Sequence, residues 1–266
     1  MQTLSSTAYS DFIMANDITS LLCSSVSKPK SSQSSSKSPS LNKNEFAAYW
    51  RVHGSHLVTN LPPPPVFKEF YEKELSDGTK KIKIAAFDMD STLIKSRSGL
   101  KFGKGANDWQ WWSDRVVPTL KAKAEEKYII AIFTNQGSTV VLQKDPTASK
   151  SYLILRSKIN QIFASLKSQV EIPLLVFAAT QLPGKKLRPF ASSEEKHQKT
   201  RKPETGMWDE LILYLKSALG NDIEIDMDNS FFVGDAAGRE GDFLDTDKKL
   251  AENIGIRFEV PEDFFV

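Results

Sequence analysis

Cysteine is nearly absent, net charge is close to nil and no apolar run is long. The one cysteine among 266 residues, Cys23, excludes an intramolecular disulfide and any metal site that needs several cysteines of this chain, which suits a reducing compartment. The longest apolar stretches, such as Tyr128 to Phe133, fall far short of the ~20 residues that cross a bilayer. No basic n-region precedes an apolar h-region at the N-terminus, so the chain is read as soluble, not secreted and without a membrane partner. Lys plus Arg number 35 against 33 Asp plus Glu, so attraction for a polyanion has to come from local patches rather than from an overall field.

What is present is enough for one substantial core, since 40% of the residues are hydrophobic. Residues 1–44 read as a disordered serine-rich tail, because Ser24 to Ser40 offers almost nothing apolar to bury. Ile13 to Leu22 allows a weak helix or a presequence, although Asp11 and Asp17 are atypical of a transit peptide. The domain proper is set at residues 47–266, with Phe46, Tyr49, Trp50, Val52, Leu57 and Val58 packing onto it. Pro62 to Pro65 are expected to stop regular structure and run as extended polyproline.

The chemistry concentrates at strand ends. Ile82 to Phe87 reads as a strand covered on both faces, and it runs into Asp88-Met89-Asp90-Ser91-Thr92. Two aspartates one residue apart repel if bare, so the spacing calls for a cation, a shared proton or both; a solvated turn is the alternative. Tyr128 to Phe133 reads as a second strand, followed by Thr134-Asn135-Gln136-Gly137, either a phosphate cradle or an ordinary turn. Leu174 to Ala179, Ser230 to Val233 and Ile256 to Val260 are further strands. Pro118 to Lys127, Tyr152 to Leu166 and Met207 to Leu219 have helical spacing between them. The most basic segment, Lys185 to Lys202, reads as either a solvated loop or a polyanion contact.

Lys95 to Gly105 and the aromatic Asp108-Trp109-Gln110-Trp111-Trp112 are expected to form a flap, its tryptophans packing rather than stacking on bases. Gly99 to Gly105 is no P-loop, since the glycine spacing is short and Gly105 stands where Ser or Thr is required. Alternating strands and helices imply an α/β fold, a Rossmann-like three-layer parallel sheet. That topology brings Asp88, Asp90, Thr134, Lys202 and Asp235 to one rim.

Asp88-Met-Asp90-Ser-Thr92, Thr134, Lys202 and Gly234-Asp235 resemble the four ordered motifs of the haloacid dehalogenase superfamily. More narrowly, Phe133 to Gly137, Arg201-Lys-Pro-Glu-Thr-Gly-Met-Trp208 and Val233-Gly-Asp-Ala-Ala-Gly-Arg239 resemble the phosphatase domain of polynucleotide kinase 3'-phosphatases. The resemblance spans Ile82 to the C-terminus, and with no P-loop domain after it the chain is similar to phosphatase-only relatives. It implies a Mg2+-dependent polynucleotide 3'-phosphatase that acts on 3'-phosphate ends of DNA in strand-break repair. The implied intermediate is an aspartyl-phosphate.

In that reading Asp88 is the nucleophile, and Asp90 the general acid and base. Thr134 and Lys202 hold the phosphoryl oxygens. Mg2+ is held by Asp88, Asp235 and the Asp90 carbonyl. Asn135, Gln136, Arg201 and Arg239 are expected to bind substrate, and Asp242 to lie behind the metal ligands. A monomer in the nucleus is expected, with the mitochondrion as a second address and repair-protein contacts through the tail. The alternative is a small-metabolite phosphatase on the same fold; an idle scaffold is disfavoured because every expected catalytic residue is present.

Overall fold

The computed structural model describes residues 49–74, 81–101, 103–170, 172–242 and 244–266. The expected tail over residues 1–44, with its helix from Ile13 to Leu22 and Cys23, lies outside the described residues, as does Phe46. In chain order the elements are β1 (Trp50–His53), β2 (Leu57–Asn60), α1 (Pro64–Glu74), β3 (Lys81–Phe87), β4 (Ile94–Lys95), β5 (Gln110–Trp111) and α2 (Val116–Glu125). Then come β6 (Tyr128–Gln136), α3 (Lys150–Lys167), β7 (Leu174–Thr180), α4 (Glu194–Thr200), α5 (Gly206–Leu219), β8 (Glu224–Ile225), β9 (Phe231–Val233), α6 (Thr246–Ile254), β10 (Arg257–Glu259) and α7 (Pro261–Phe264).

The main sheet has the order β1-β2-β7-β6-β3-β9-β10, with β8 paired to the start of β3. Strands β7, β6, β3, β9 and β10 are parallel, so their carboxyl ends share one rim. The β1–β2 hairpin adds an antiparallel edge on β7, with Leu57 opposite Ala179. Side chains alternate between two faces, as strand geometry requires. Ala85, Phe87, Ile130, Ile132 and Val176 meet Leu120, Leu155, Ile159 and Ile162 of α2 and α3. Ile82, Ile84, Ala131, Phe133 and Phe177 meet Phe67, Leu211, Leu215 and Leu250 of α1, α5 and α6. The three-layer α/β expectation holds.

Two local expectations need correction. Pro64 and Pro65 do not continue an extended run; they open α1. At a helix start a missing N–H would be unpaired anyway and the fixed φ is already helical, so proline is tolerated there. The basic segment is not wholly loop either, because Ser193 caps α4 with its hydroxyl accepting from Lys196 N.

The flap is present as the β4–β5 ladder. Its connecting loop is tied by Asp108, whose carboxylate accepts from Ser98 N at 2.8 Å, Ser98 Oγ at 2.7 Å and Lys104 N at 2.8 Å. These donors hold its pKa down at about 2, the Lys104 amide foremost. Trp109 is buried, and Trp109 and Trp111 donate from Nε1 to Gln161 Oε1 and Ser165 Oγ on α3. These two tryptophans pack, as expected.

Candidate active site

Asp88, Thr134 and Asp235 stand at the carboxyl ends of three adjacent strands, β3, β6 and β9. Asp88 N donates to Val233 O at 2.9 Å, which locks the start of the Asp88 loop to β9. The loop then turns through Ser91 in the left-handed region at φ 67°, and Ser91 N donates to Ile94 O at 2.7 Å. This sharp return keeps Asp90 at the rim instead of letting the strand run on.

Lys202 reaches this rim from the segment that follows α4. Its Nζ lies 2.5 Å from Asp88 Oδ1 and 2.7 Å from Asp247 Oδ1, and all three side chains are nearly inaccessible. Burial alone would lower the Lys202 pKa, but Asp247 and Asp88 outweigh it and raise it, so the ammonium stays charged. Asp88 moves upward through burial, opposed by Lys202 and reinforced by Asp247 and Asp235. Burial and then Asp247 push Asp235 up to about 6.

One carboxylate oxygen from each of Asp88, Asp235 and Asp247 lies within 4.8 Å of the others. Three carboxylates around one ammonium leave an excess of buried negative charge. An all-oxygen donor set of that kind suits a hard divalent cation such as Mg2+.

The neighbouring polar side chains brace this group. Gln136 Nε2 donates to Asp90 Oδ2 and to Thr134 Oγ1, both at 2.9 Å. Lys158 of α3 adds an Nζ 3.5 Å from Asp90 Oδ1, while the Asp90 side chain remains about half exposed. Asn135 Nδ2 donates to Lys202 O, and Lys202 N donates to Asn135 Oδ1, both at 3.0 Å. This pair of hydrogen bonds fixes the Lys202 backbone to β6. The arrangement combines a buried carboxylate held by an ammonium, a second carboxylate open to solvent, and a candidate cation seat. These are the parts needed for attack on phosphorus and protonation of a leaving oxygen.

Residues 83–265 match the family described as polynucleotide kinase 3 phosphatase. The chain belongs to this family. A bifunctional polynucleotide phosphatase/kinase of Schizosaccharomyces pombe is 41% identical over 186 residues, covering 69% of this chain and 38% of the relative. The chain thus spans well under half of that relative's length. A polynucleotide 3'-phosphatase of Saccharomyces cerevisiae is 30% identical over 242 residues, covering 79% of this chain and 99% of the relative. Among solved structures, a D,D-heptose 1,7-bisphosphate phosphatase from B. bronchiseptica, complexed with magnesium and phosphate, aligns with a TM-score of 0.41. It shares 16% identity and covers 67% of this chain and 92% of that one.

Within this member of the polynucleotide kinase 3 phosphatase family, the residues expected at the site separate into two groups. Asp88, Asp90, Thr134, Gln136, Lys202 and Asp235 gather at the rim, and Asn135 serves it through the Lys202 backbone. Arg201 is half-buried with its guanidinium beside Gly137, where an added methyl would sit 3.6 Å from Nη2. Arg239 instead forms an exposed network, its Nε 3.0 Å from Asp242 Oδ2 and its Nη1 3.2 Å from Glu262 Oε2.

Asp242 stands with Arg239 rather than in the carboxylate cluster, and the residue behind the expected metal ligands is Asp247. Its Oδ2 accepts from Ala236 N at 3.0 Å, and it presses so closely on Gly234 that any side chain there would collide with it. The sequence held a usable signal, a Gly-Asp at a strand end and an aspartate in the first turn of the next helix.

Proposed function

We propose that the chain is a Mg2+-dependent polynucleotide 3'-phosphatase that restores 3'-hydroxyls at DNA strand breaks through an aspartyl-phosphate. The observation that carries this reading is the buried Asp88–Lys202–Asp247 group at the strand tip, with Asp90 two residues on and open to solvent. Asp88 Oδ attacks phosphorus, and the bond to the 3'-oxygen breaks as Asp90 gives that oxygen a proton. Asp90 then takes a proton from water, whose oxygen attacks the phosphoryl group and returns Asp88 as a carboxylate.

Lys202 and the Thr134 hydroxyl hold the phosphoryl oxygens as charge redistributes, and Gln136 keeps the Asp90 carboxyl beside Thr134. Asp88 and Asp235, with the Asp90 carbonyl, are the groups that would hold Mg2+, and Asp247 stands behind them against Lys202. When bound, the ion neutralises phosphate and carboxylate charge so that two anions can approach.

The polynucleotide substrate is supported by the names of the relatives and by the cations that flank the rim, Lys95, Arg97, Lys101 and Lys104 on the flap and Lys185, Lys186 and Arg188 beyond β7, all exposed. A 3'-phosphate blocks extension and joining, so its removal belongs to strand-break repair, and the nucleus is the compartment we assign. The test is hydrolysis of a 3'-phosphorylated oligonucleotide against a panel of small phosphate monoesters, with and without Mg2+. Preference for the oligonucleotide only in the presence of Mg2+ is the expected result. Equal or better turnover of small esters would replace this reading with a metabolite phosphatase.

A further inference from the structure

A cavity opens on the same rim as Asp88, away from the carboxylates. The β1–β2 turn, Gly54 to His56, lies at the carboxyl end of β7, since Leu57 pairs with Ala179 and Thr180 N donates to His56 O at 3.0 Å. Three strand spacings of about 4.8 Å separate β2 from β3, so this corner is on the order of 15 Å from Asp88. The cavity measures about 730 Å3, within the ordinary range for a small-molecule site of about 300 to 1,000 Å3. Its lining includes Phe190, Gln143, Lys144, Lys196, His56 and Glu210.

Phe190 is the least expected of these residues. It is 73% exposed, on a single 3-10 turn of Arg188–Phe190 within the most basic stretch of the chain. A single exposed aromatic ring is ordinary by itself, but one set among lysines at the mouth of a polar cavity has the form of the base-stacking platforms in cationic grooves that single-stranded nucleic acid binds. Lys144 and Lys196 supply the cations. Gln143 and Glu210 supply donors and acceptors for a base edge.

The cavity is held in shape before any ligand arrives. Ser55 N donates to Ser192 Oγ at 3.0 Å, and Ser192 N donates to Ser55 Oγ at 2.9 Å. Ser55 Oγ also pairs with His197 Nε2 at 2.9 Å, and His56 Nδ1 with Ser192 Oγ at 2.9 Å. Gly54 permits the approach, with φ 59° and no side chain to strike Ser192. These bonds pin the segment carrying Phe190 to the hairpin, so little ordering cost falls on binding. Arg201, with its guanidinium beside Gly137, lies between this corner and Lys202 in the chain path.

We propose that this cavity is a nucleobase subsite: Phe190 stacks an unpaired base a few nucleotides upstream of the 3'-phosphate, while Lys144 and Lys196 meet the adjoining backbone phosphates. The proposal rests on the phosphatase reading and deepens it, because it gives a base upstream of the 3'-phosphate its own place on the protein. A fully paired terminus would have to release that base, which carries an unstacking penalty.

The experiment uses the full chain and 3'-phosphorylated oligonucleotides that carry either an abasic site or 2-aminopurine at each of the first few positions from the 3' end. One abasic position is expected to raise KM about 5- to 150-fold for the wild type. Phe190→Ala is expected to show that rise on the intact strand and no further rise on the abasic one, and Phe190→Trp to restore the wild-type pattern. In metal-free binding, 2-aminopurine fluorescence should be quenched at the same position by the wild type and not by Phe190→Ala. An abasic penalty of equal size in the wild type and Phe190→Ala, or quenching that survives in Phe190→Ala, overturns the subsite. Absence of turnover on the intact strand would overturn the phosphatase reading instead, while the metal-free fluorescence still decides whether the cavity takes a base.

Discussion

Substituting Asp247 by Asn separates the geometry of this site from its motif spacing. Asp247 Oδ1 lies 2.7 Å from Lys202 Nζ and Oδ2 accepts from Ala236 N at 3.0 Å, with the side chain almost wholly buried. An amide cannot meet both donors: turned one way its NH2 faces the ammonium, turned the other it faces the Ala236 amide. One charge-assisted bond is lost, worth roughly 1.5 to 3 kcal/mol, although relief of the repulsion from Asp88 and Asp235 returns part of that. A net loss of about 1 to 3 kcal/mol in a domain of roughly 200 residues lowers Tm by about 2 to 12 °C.

Because Asp247 braces Lys202 and stands within the carboxylate cluster, kcat/KM on a 3'-phosphorylated oligonucleotide should fall about 10- to 100-fold, and the Mg2+ concentration for half activity should rise. Asp242→Asn weakens the pairing with Arg239 and two loop contacts, all outside the carboxylate cluster, so it should leave the Mg2+ titration unmoved. The assay is a Mg2+ titration of turnover for both variants beside thermal melts. A wild-type titration for Asp247→Asn together with a shifted one for Asp242→Asn would refute the reasoning.

Asp88→Asn is expected to abolish turnover while keeping the fold, since the amide is a poor nucleophile and the Lys202–Asp247 pair remains; a rate within tenfold of wild type would remove Asp88 from the nucleophile role. Replacing Lys185, Lys186 and Arg188 by Ala should raise KM on an oligonucleotide and flatten its salt dependence, and unchanged salt slopes would return that stretch to a solvated loop. The pH prediction concerns His56, whose pKa is depressed to about 4 by burial and then by His197, Lys196 and His53. The unfolded chain binds the proton first, near pH 6.5, so the stability is whole above that value and is lost as pH falls towards 4. Asp235, raised to about 6 by burial, works the other way over part of this window. The histidine share is therefore the difference between wild type and His56→Gln, and melts with identical pH profiles for the two would rule it out.

What the sequence made legible follows from where each residue's surroundings come from. Strands β3, β6, β7 and β9 are apolar runs whose own composition marks them, and Asp88, Thr134 and Asp235 sit at their ends, so one inference placed both the strand and its carboxylate or hydroxyl. Helices α3 and α5 carry their apolar stripes within themselves, and their observed limits differ from the spacing-based ones by a residue or two. The first misreading was local: four prolines suggest extended chain, yet Phe67 and Tyr71, four residues apart and both buried, already formed a helical face behind Pro64.

Asp247 and the Phe190 cavity were hidden for a different reason. Asp242, Asp245 and Asp247 look alike in sequence, and only the packing of α6 against Gly234 decides which one is buried against Lys202. The cavity likewise exists because Ser55 and Ser192, remote in sequence, exchange hydrogen bonds. Chemistry set by one strand's end can be read along the chain, whereas chemistry set by two segments docking needs the fold. In this protein the second kind surrounds the first: Asp88 was visible at once, but Asp247 behind it and the Phe190 corner beside it belong to other segments.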